Sequence, residues 1–241
     1  MSSAAAIWHE VECGGYEADM PLWERLAGRY PGPVLDVGAG TGRVALQLAA
    51  GGSDVVGLDR DASLLVVLEE RAGRVRPGTV RSVLADAREF VSDERFGLII
   101  VAMQTIQLFG GDSERLRFLE CARRNVAPGG CVAIALADLA QGSPEGQVVF
   151  EADVLDVGGE RFSSRPVFVR LDPDEVVIER ERVRAAAGGR VERSVSREAI
   201  DRVSPGTLIA EARETGFESA SLEAVPATGS YAGAEVVLLH G

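Results

Sequence analysis

The chain has 241 residues, 46% of them hydrophobic, enough to bury a core in one large domain or one domain with an insertion. Its formal net charge of −12 and pI of about 4.7 repel phosphate backbones, so a small-molecule substrate is expected and nucleic acid is not. No apolar run is long enough to span a bilayer, and the start MSSAAAIWHEVEC lacks the basic and apolar regions of a signal peptide. Cys13, Cys121 and Cys131 are far apart and without nearby His, so reduced buried thiols, no metal site, no membrane partner and a cytoplasmic location are expected.

Residues 1–32 read as an arm ending in a lid helix. Asp19 is placed to cap that helix, Pro21 fits its first turn, and Trp23, Leu26, Ala27 and Tyr30 share one face. Tyr16 lies just before the helix, and His9 is one of only two histidines, the other being His240.

Residues 33–146 alternate strands and helices. Val34, Leu35 and Val37 form a strand, Asp36-Val37-Gly38-Ala39-Gly40-Thr41-Gly42 a glycine-rich turn, and Val44, Leu46, Leu48 and Ala49 the buried side of a helix. The glycines let the backbone turn sharply and leave room for a ligand to touch it. Val55, Val56 and Leu58 make a second strand with Asp59 at its end, 21 residues after Gly38, where a carboxylate can accept from a ribose diol. Asp61 caps a helix carrying Leu64, Leu65, Val67 and Leu68. Val80 to Phe90 gives a third strand ending in Asp86-Ala87, and Phe96 to Thr105 a fourth, buried on both faces. A helix from Ser113 to Val126 and a fifth strand in Ala127 to Asp138 follow, with Pro-Gly-Gly before that strand.

The D-x-G-x-G-x-G segment, followed in order by Asp59 and Asp86, resembles the class I S-adenosylmethionine (SAM)-dependent methyltransferases. The dinucleotide fingerprint fits less well, because Arg43 stands where its last small residue belongs. The resemblance implies an α/β fold: a Rossmann-like, seven-stranded, mostly parallel sheet with helices on both faces and an antiparallel last strand. It also implies SAM as cofactor and S-adenosylhomocysteine (SAH) as product. Gly38, Gly40 and Gly42 would wrap SAM, and Asp36 would bond loop amides or its amino group. Asp59 would hold the ribose, and Asp86 and the Ala87 amide would meet the adenine edge. Arg60 would lie along the adenine or face solvent. Tyr16 would fold over the methionyl part, where a ring attracts the sulfonium, or merely anchor the arm.

Residues 147–200 are rich in short β-like runs separated by Gly158-Gly159, Asp172-Pro173-Asp174 and Gly188-Gly189. They predict an inserted antiparallel cap of about four strands. It either roofs the active site or makes a homodimer contact. The run ERERVR at 179–184 is interleaved with Glu and reads as a salt-bridged, solvated face. Residues 201–241 complete the core with a helix started by Ser204-Pro205 and ended at Gly216, then a strand pair.

The expected activity is methyl transfer to O or N of a small molecule, mainly by positioning, since the sulfonium is already activated. Catalytic candidates are few; Tyr16 is one of them, and Gln104 is a candidate for cofactor contact as well as catalysis. Gln104 falls just past the fourth strand, and Gln107 one turn on. In relatives this stretch reads Asn-Ser-Leu-Gln-His, but Leu108 holds the His position. Asp138 reads as a substrate carboxylate or a helix cap, and His9 as a base or a packing residue. Two other classes remain open: a SAM/SAH-binding module without turnover, and a nicotinamide-dependent oxidoreductase.

Overall fold

In the computed structural model, residues 3–137, 146–147, 150–228 and 233–241 are described. Ser3 caps α1 (Ala4–Cys13) by accepting the Ala6 amide at 3.1 Å; the sequence reading of the arm had not resolved this helix. The second helix, α2 (Met20–Arg29), begins after Asp19 as expected, but the Asp19 carboxylate does not cap it. Arg43 takes both its oxygens, at 2.6 and 2.8 Å, and Trp23 Nε1 donates at 2.7 Å. A buried guanidinium left unpaired costs more than one capping bond returns.

The core then runs β1 (Val34–Val37), α3 (Arg43–Ala50), β2 (Asp54–Asp59), α4 (Ala62–Ala72), β3 (Thr79–Leu84), β4 (Phe96–Val101), α5 (Asp112–Asn125) and β5 (Val126–Ala137). An insertion of β6 (Gly146–Gln147), β7 (Asp153–Val157), β8 (Glu160–Leu171), β9 (Glu175–Ala185) and β10 (Val191–Asp201) follows. The chain closes with α6 (Pro205–Glu214), β11 (Ser219–Val225) and β12 (Ala234–His240).

Seven strands form the main sheet in the order β11-β12-β5-β4-β1-β2-β3. β12 runs antiparallel to both its neighbours, and the other pairs are parallel. Strand residues alternate between two apolar layers, as a doubly covered sheet demands. Val34, Val55, Leu98 and Ile100 face Trp23, Leu26, Leu48 and Leu68 of α2, α3 and α4. Leu35, Val56, Ile99 and Val101 face Phe118 and Leu119 of α5 and Leu208 of α6. The expected α/β class and antiparallel last strand are therefore observed.

Two boundaries differ from the sequence reading. β3 ends at Leu84, so Asp86 sits in the following loop. The Pro128-Gly129-Gly130 stretch lies inside β5 as an irregularity, the register shifting between Phe96↔Val126 and Leu98↔Cys131, with Gly129 at φ 74°.

The insertion is a second antiparallel sheet, ordered β10-β9-β8-β6 with β7 on β8, giving five strands where about four were expected. Its turns fall at the three anticipated places, Gly158 and Gly159 having φ of 63° and 79°. The arm joins it to the core: the Trp8 and Phe162 rings meet edge-on at 5.4 Å, and Glu12 reaches β9. Among the described residues, no helix is long and apolar enough to cross a membrane.

Candidate active site

The turn after β1 is shaped by close contacts within the protein. Gly42 has φ 98°, and a Cβ there would lie 2.4 Å from Leu68 Cδ1, so this glycine lets α3 pack against α4. At Gly40, φ 55°, a Cβ would lie 2.4 Å from Cε1 and Nε2 of the His9 ring, which stands directly on the loop. The Asp59 carboxylate ties the loop to the next strand, accepting Gly40 N at 2.8 Å and Asp61 N at 2.9 Å. Each of its oxygens keeps a lone pair, which suits a ribose diol. Asp61 caps α4 through the Ser63 amide at 2.8 Å.

A cavity of about 460 Å³ opens at the C-terminal ends of β1, β2 and β4, the place where ligands sit in open α/β sheets. It brings together Asp36, Gly38, Asp59, Arg60, Asp86, Ala87, Gln104 and His9. Asp36 is almost wholly buried and accepts the Ala45 amide at 3.1 Å. Burial pushes its carboxyl up to about 7, against the pull of Arg43. Asp86 is gripped by Arg88, whose hydrogen bonds hold it down to about 2, so a base placed here meets an ion pair rather than a bare carboxylate. Met103, beside Gln104, has φ 54°, a strained conformation for a residue with a Cβ and one that gathers at functional sites.

Other residues singled out from the sequence lie elsewhere. Gly40 and Gly42 are part of the turn but off the cavity wall. Tyr16 is buried in the core, its ring 5.2 Å from the Arg43 guanidinium and its carbonyl accepting from Arg43 at 2.8 Å, which matches an anchoring role better than contact with the cofactor. Gln107 is also buried away from the cavity. Its amide exchanges hydrogen bonds with Ala137 N (2.8 Å) and O (3.3 Å) and donates to Asp201 O (3.0 Å), so it fastens the end of β5 to the end of β10. Asp138 lies outside the described residues.

His9 is held by its neighbours. Thr41 Oγ1 donates to Glu10, which also takes Arg71 in two bonds of 2.9 Å. Its proton thus committed, Thr41 Oγ1 accepts from His9 Nδ1 at 3.2 Å, which leaves Nε2 as the unprotonated nitrogen of the neutral ring. Burial lowers the His9 pKa below its ordinary value, with Glu10 and Asp59 opposing.

The roof of the cavity was missed by sequence reasoning. Trp8, Glu12 and Cys13 of α1, Arg180 and Arg182 of β9, and Glu198 of β10 all line it. The one available signal was the period of two in ERERVR: Arg180 and Arg182 share a face, and antiparallel pairing places Ser196 and Ser194 opposite them. The arginines are ion-paired, as expected, but inside the molecule rather than in solvent. Arg182 grips Glu12 at 2.7 Å twice, and Arg180 bonds Asp153 at 2.6 Å and Ser164 at 3.0 Å. Burial pushes the Cys13 thiol up to about 12, so it offers no thiolate.

Residues 34–130 match the protein family described as "Methyltransferase domain". A cypemycin N-terminal methyltransferase from Streptomyces sp. is 30% identical over 108 residues, 45% of this chain and 43% of that protein, so the match spans under half of the relative's length. The fold is shared with the sugar N-methyltransferase KedS8 from Streptoalloteichus sp. (TM-score 0.76, 17% identity, 100% of this chain and 94% of that one). It is shared also with SAM-bound CalS10, an amino pentose methyltransferase from Micromonospora echinaspora (TM-score 0.74, 17% identity, 99% and 97%). The matched residues run from β1 into β5, and this segment, set in a seven-stranded sheet, is similar to the class I SAM-dependent methyltransferase superfamily. SAM is the cofactor of that superfamily. The Asp59 lone pairs, the buried Asp36 and the cavity at the strand ends fit such a ligand.

Proposed function

We propose that this protein transfers a methyl group from SAM to a nitrogen of a small amine-bearing molecule. The observation that carries the reading is the shared cavity. The side chains expected to hold SAM and the roof formed by the arm and the inserted sheet face one space of about 460 Å³. That volume falls in the range of small-molecule sites. Asp59 would hold the ribose, Asp36 the amino group, and the loop around Asp86 and Ala87 the adenine. Gln104, three residues past the end of β4, lines the same cavity.

Nitrogen is favoured over oxygen on two grounds. An amine needs only to lose an ordinary proton before it attacks, whereas an unactivated hydroxyl needs a strong base. His9 is the one histidine lining the cavity among the described residues, and burial makes it a weaker base. The names of the relatives point the same way, to an N-terminal, an amino pentose and a sugar N-methyltransferase. SAM supplies an activated methyl; the protein's part is to align the nitrogen and exclude water. The test is incubation with SAM and a panel of small amines, each paired with its hydroxyl counterpart, followed by mass spectrometry. Methylated amines are expected. Methylation of the hydroxyl compounds alone would overturn the nitrogen assignment, and tight SAM binding with no product from any compound would favour a binding module.

A further inference from the structure

The roof of the cavity is one cation short. Glu12, Asp153 and Glu198 contribute three negative charges there, and Arg180 and Arg182 two positive ones. Both guanidiniums are spent: Arg182 forms a two-bond pair with Glu12, and Arg180 bonds Asp153. Ser164 bridges the pairs, donating to Glu12 at 2.7 Å while it accepts from Arg180. Glu198 has no hydrogen bond or ion pair among the described residues.

Its placement follows from the register of the inserted sheet. Ser194, Ser196 and Glu198 pair with Arg182, Arg180 and Ile178, so Glu198 lies on the same face of the sheet as both arginines. Glu198 lines the cavity and is exposed there, so its carboxylate is open to a ligand. Three carboxylates against two engaged guanidiniums give this wall a negative potential, which favours a ligand that brings a positive charge. Trp8 also lines the cavity, its ring 5.3 Å from the Arg182 guanidinium, which adds an aromatic face to this wall.

We infer that Glu198 is the substrate-binding base of this enzyme: it pairs with the ammonium group of the acceptor and takes one of its protons. This rests on the methyl-transfer reading and specifies its substrate as a cation at the reacting nitrogen. One proton passes from the ammonium nitrogen to a Glu198 oxygen, which frees the nitrogen lone pair. That pair forms the new N–C bond as the methyl–sulfur bond breaks, its electrons staying on sulfur. The sulfonium thereby becomes a neutral thioether and the product a methylammonium ion. Glu198 then returns its proton to water. Burial, then the nearby Glu12, raises the pKa of Glu198 above the ordinary carboxylate value, while Arg180 and Arg182 oppose the rise. The shift brings the group nearer to that of an amine, as a proton acceptor at this position requires.

The test uses the full chain with SAM, with glucosamine and alanyl-alanine amide as amine probes, and with glucose and N-acetyl-alanyl-alanine amide as neutral controls. Wild type is expected to methylate an amine probe and neither control. Glu198→Gln should lower kcat/KM for that amine by about 100-fold, the loss expected when a positioned proton acceptor is removed. SAH affinity, read by calorimetry, should stay unchanged, which shows that the variant is folded. At saturating SAM, which keeps Asp36 engaged by the cofactor, the acid limb of the wild-type pH profile, where activity rises as Glu198 ionises, should vanish in Glu198→Gln and persist in Glu198→Asp. Glu192→Gln, on the same strand and exposed, should behave as wild type. An unchanged kcat/KM or an intact acid limb in Glu198→Gln would overturn the assignment and leave the methyltransferase standing. So would a wild type that binds SAM but methylates neither amine. Failure of wild type to bind SAM or SAH would instead sink the underlying reading.

Discussion

Asp59 supports the site in two ways. It braces the turn through Gly40 N and Asp61 N, and under the proposed function its remaining lone pairs would accept from the ribose. Asp59→Ala should therefore weaken SAM binding by about tenfold or more, because a charged acceptor is lost; equal affinities by calorimetry would remove Asp59 from the ribose site. Asp36 yields a prediction about stability. Its folded pKa is raised to about 7 by burial, so between pH 4 and 7 the folded state binds more protons than the unfolded one. For an acid raised in this way, stability is greatest at low pH and falls as pH rises toward 7. Asp36→Asn should thus gain stability over wild type at pH 8, by up to roughly 4 kcal/mol, and show little difference near pH 4. Urea denaturation at both pH values measures this, and an equal difference at the two would contradict it.

At the scale of elements, the arm is two parts with different duties. The first helix, α1, holds His9 on the turn and Glu12 under the inserted sheet. The segment after it carries Tyr16 and Asp19 into the core, where Asp19 pairs with Arg43. Removing residues 1–13 should lower SAM affinity and turnover while the core stays folded. Removing residues 1–20 should cost a further 3 kcal/mol or so, since Arg43 is left buried without its partner. Thermal unfolding of the two truncations separates them, and equal stability would refute the division.

The same contrast explains what the sequence made legible. The strands, the glycine turn and the Asp61 and Ser204 caps were readable because each is set by neighbours within a few residues. The fate of Gln107, the pairing of Asp19 with Arg43 and the cavity-facing side of ERERVR were not. Each depends on contacts between segments far apart in the chain, and local pattern carries no record of which long-range partner a polar side chain meets. Glu198 is the clearest case. It is one acidic residue among 37 until the inserted sheet folds over the cavity.

The whole molecule is acidic, with a net charge of −12, and its arginines are largely engaged by carboxylates. No concentrated basic surface arises from the ERERVR run, because Arg180, Arg182 and Arg184 all have acidic partners. Raising salt from about 50 to 300 mM should therefore change turnover by less than about twofold, as long-range attraction plays no part. A steep fall would point to a polyanionic substrate.

The central claim is that the cavity at the strand ends is a SAM site, and calorimetric titration with SAM, SAH and NAD tests it most directly. The account predicts micromolar binding of SAM and SAH and none of NAD. Binding of NAD, or of none of the three, would contradict it.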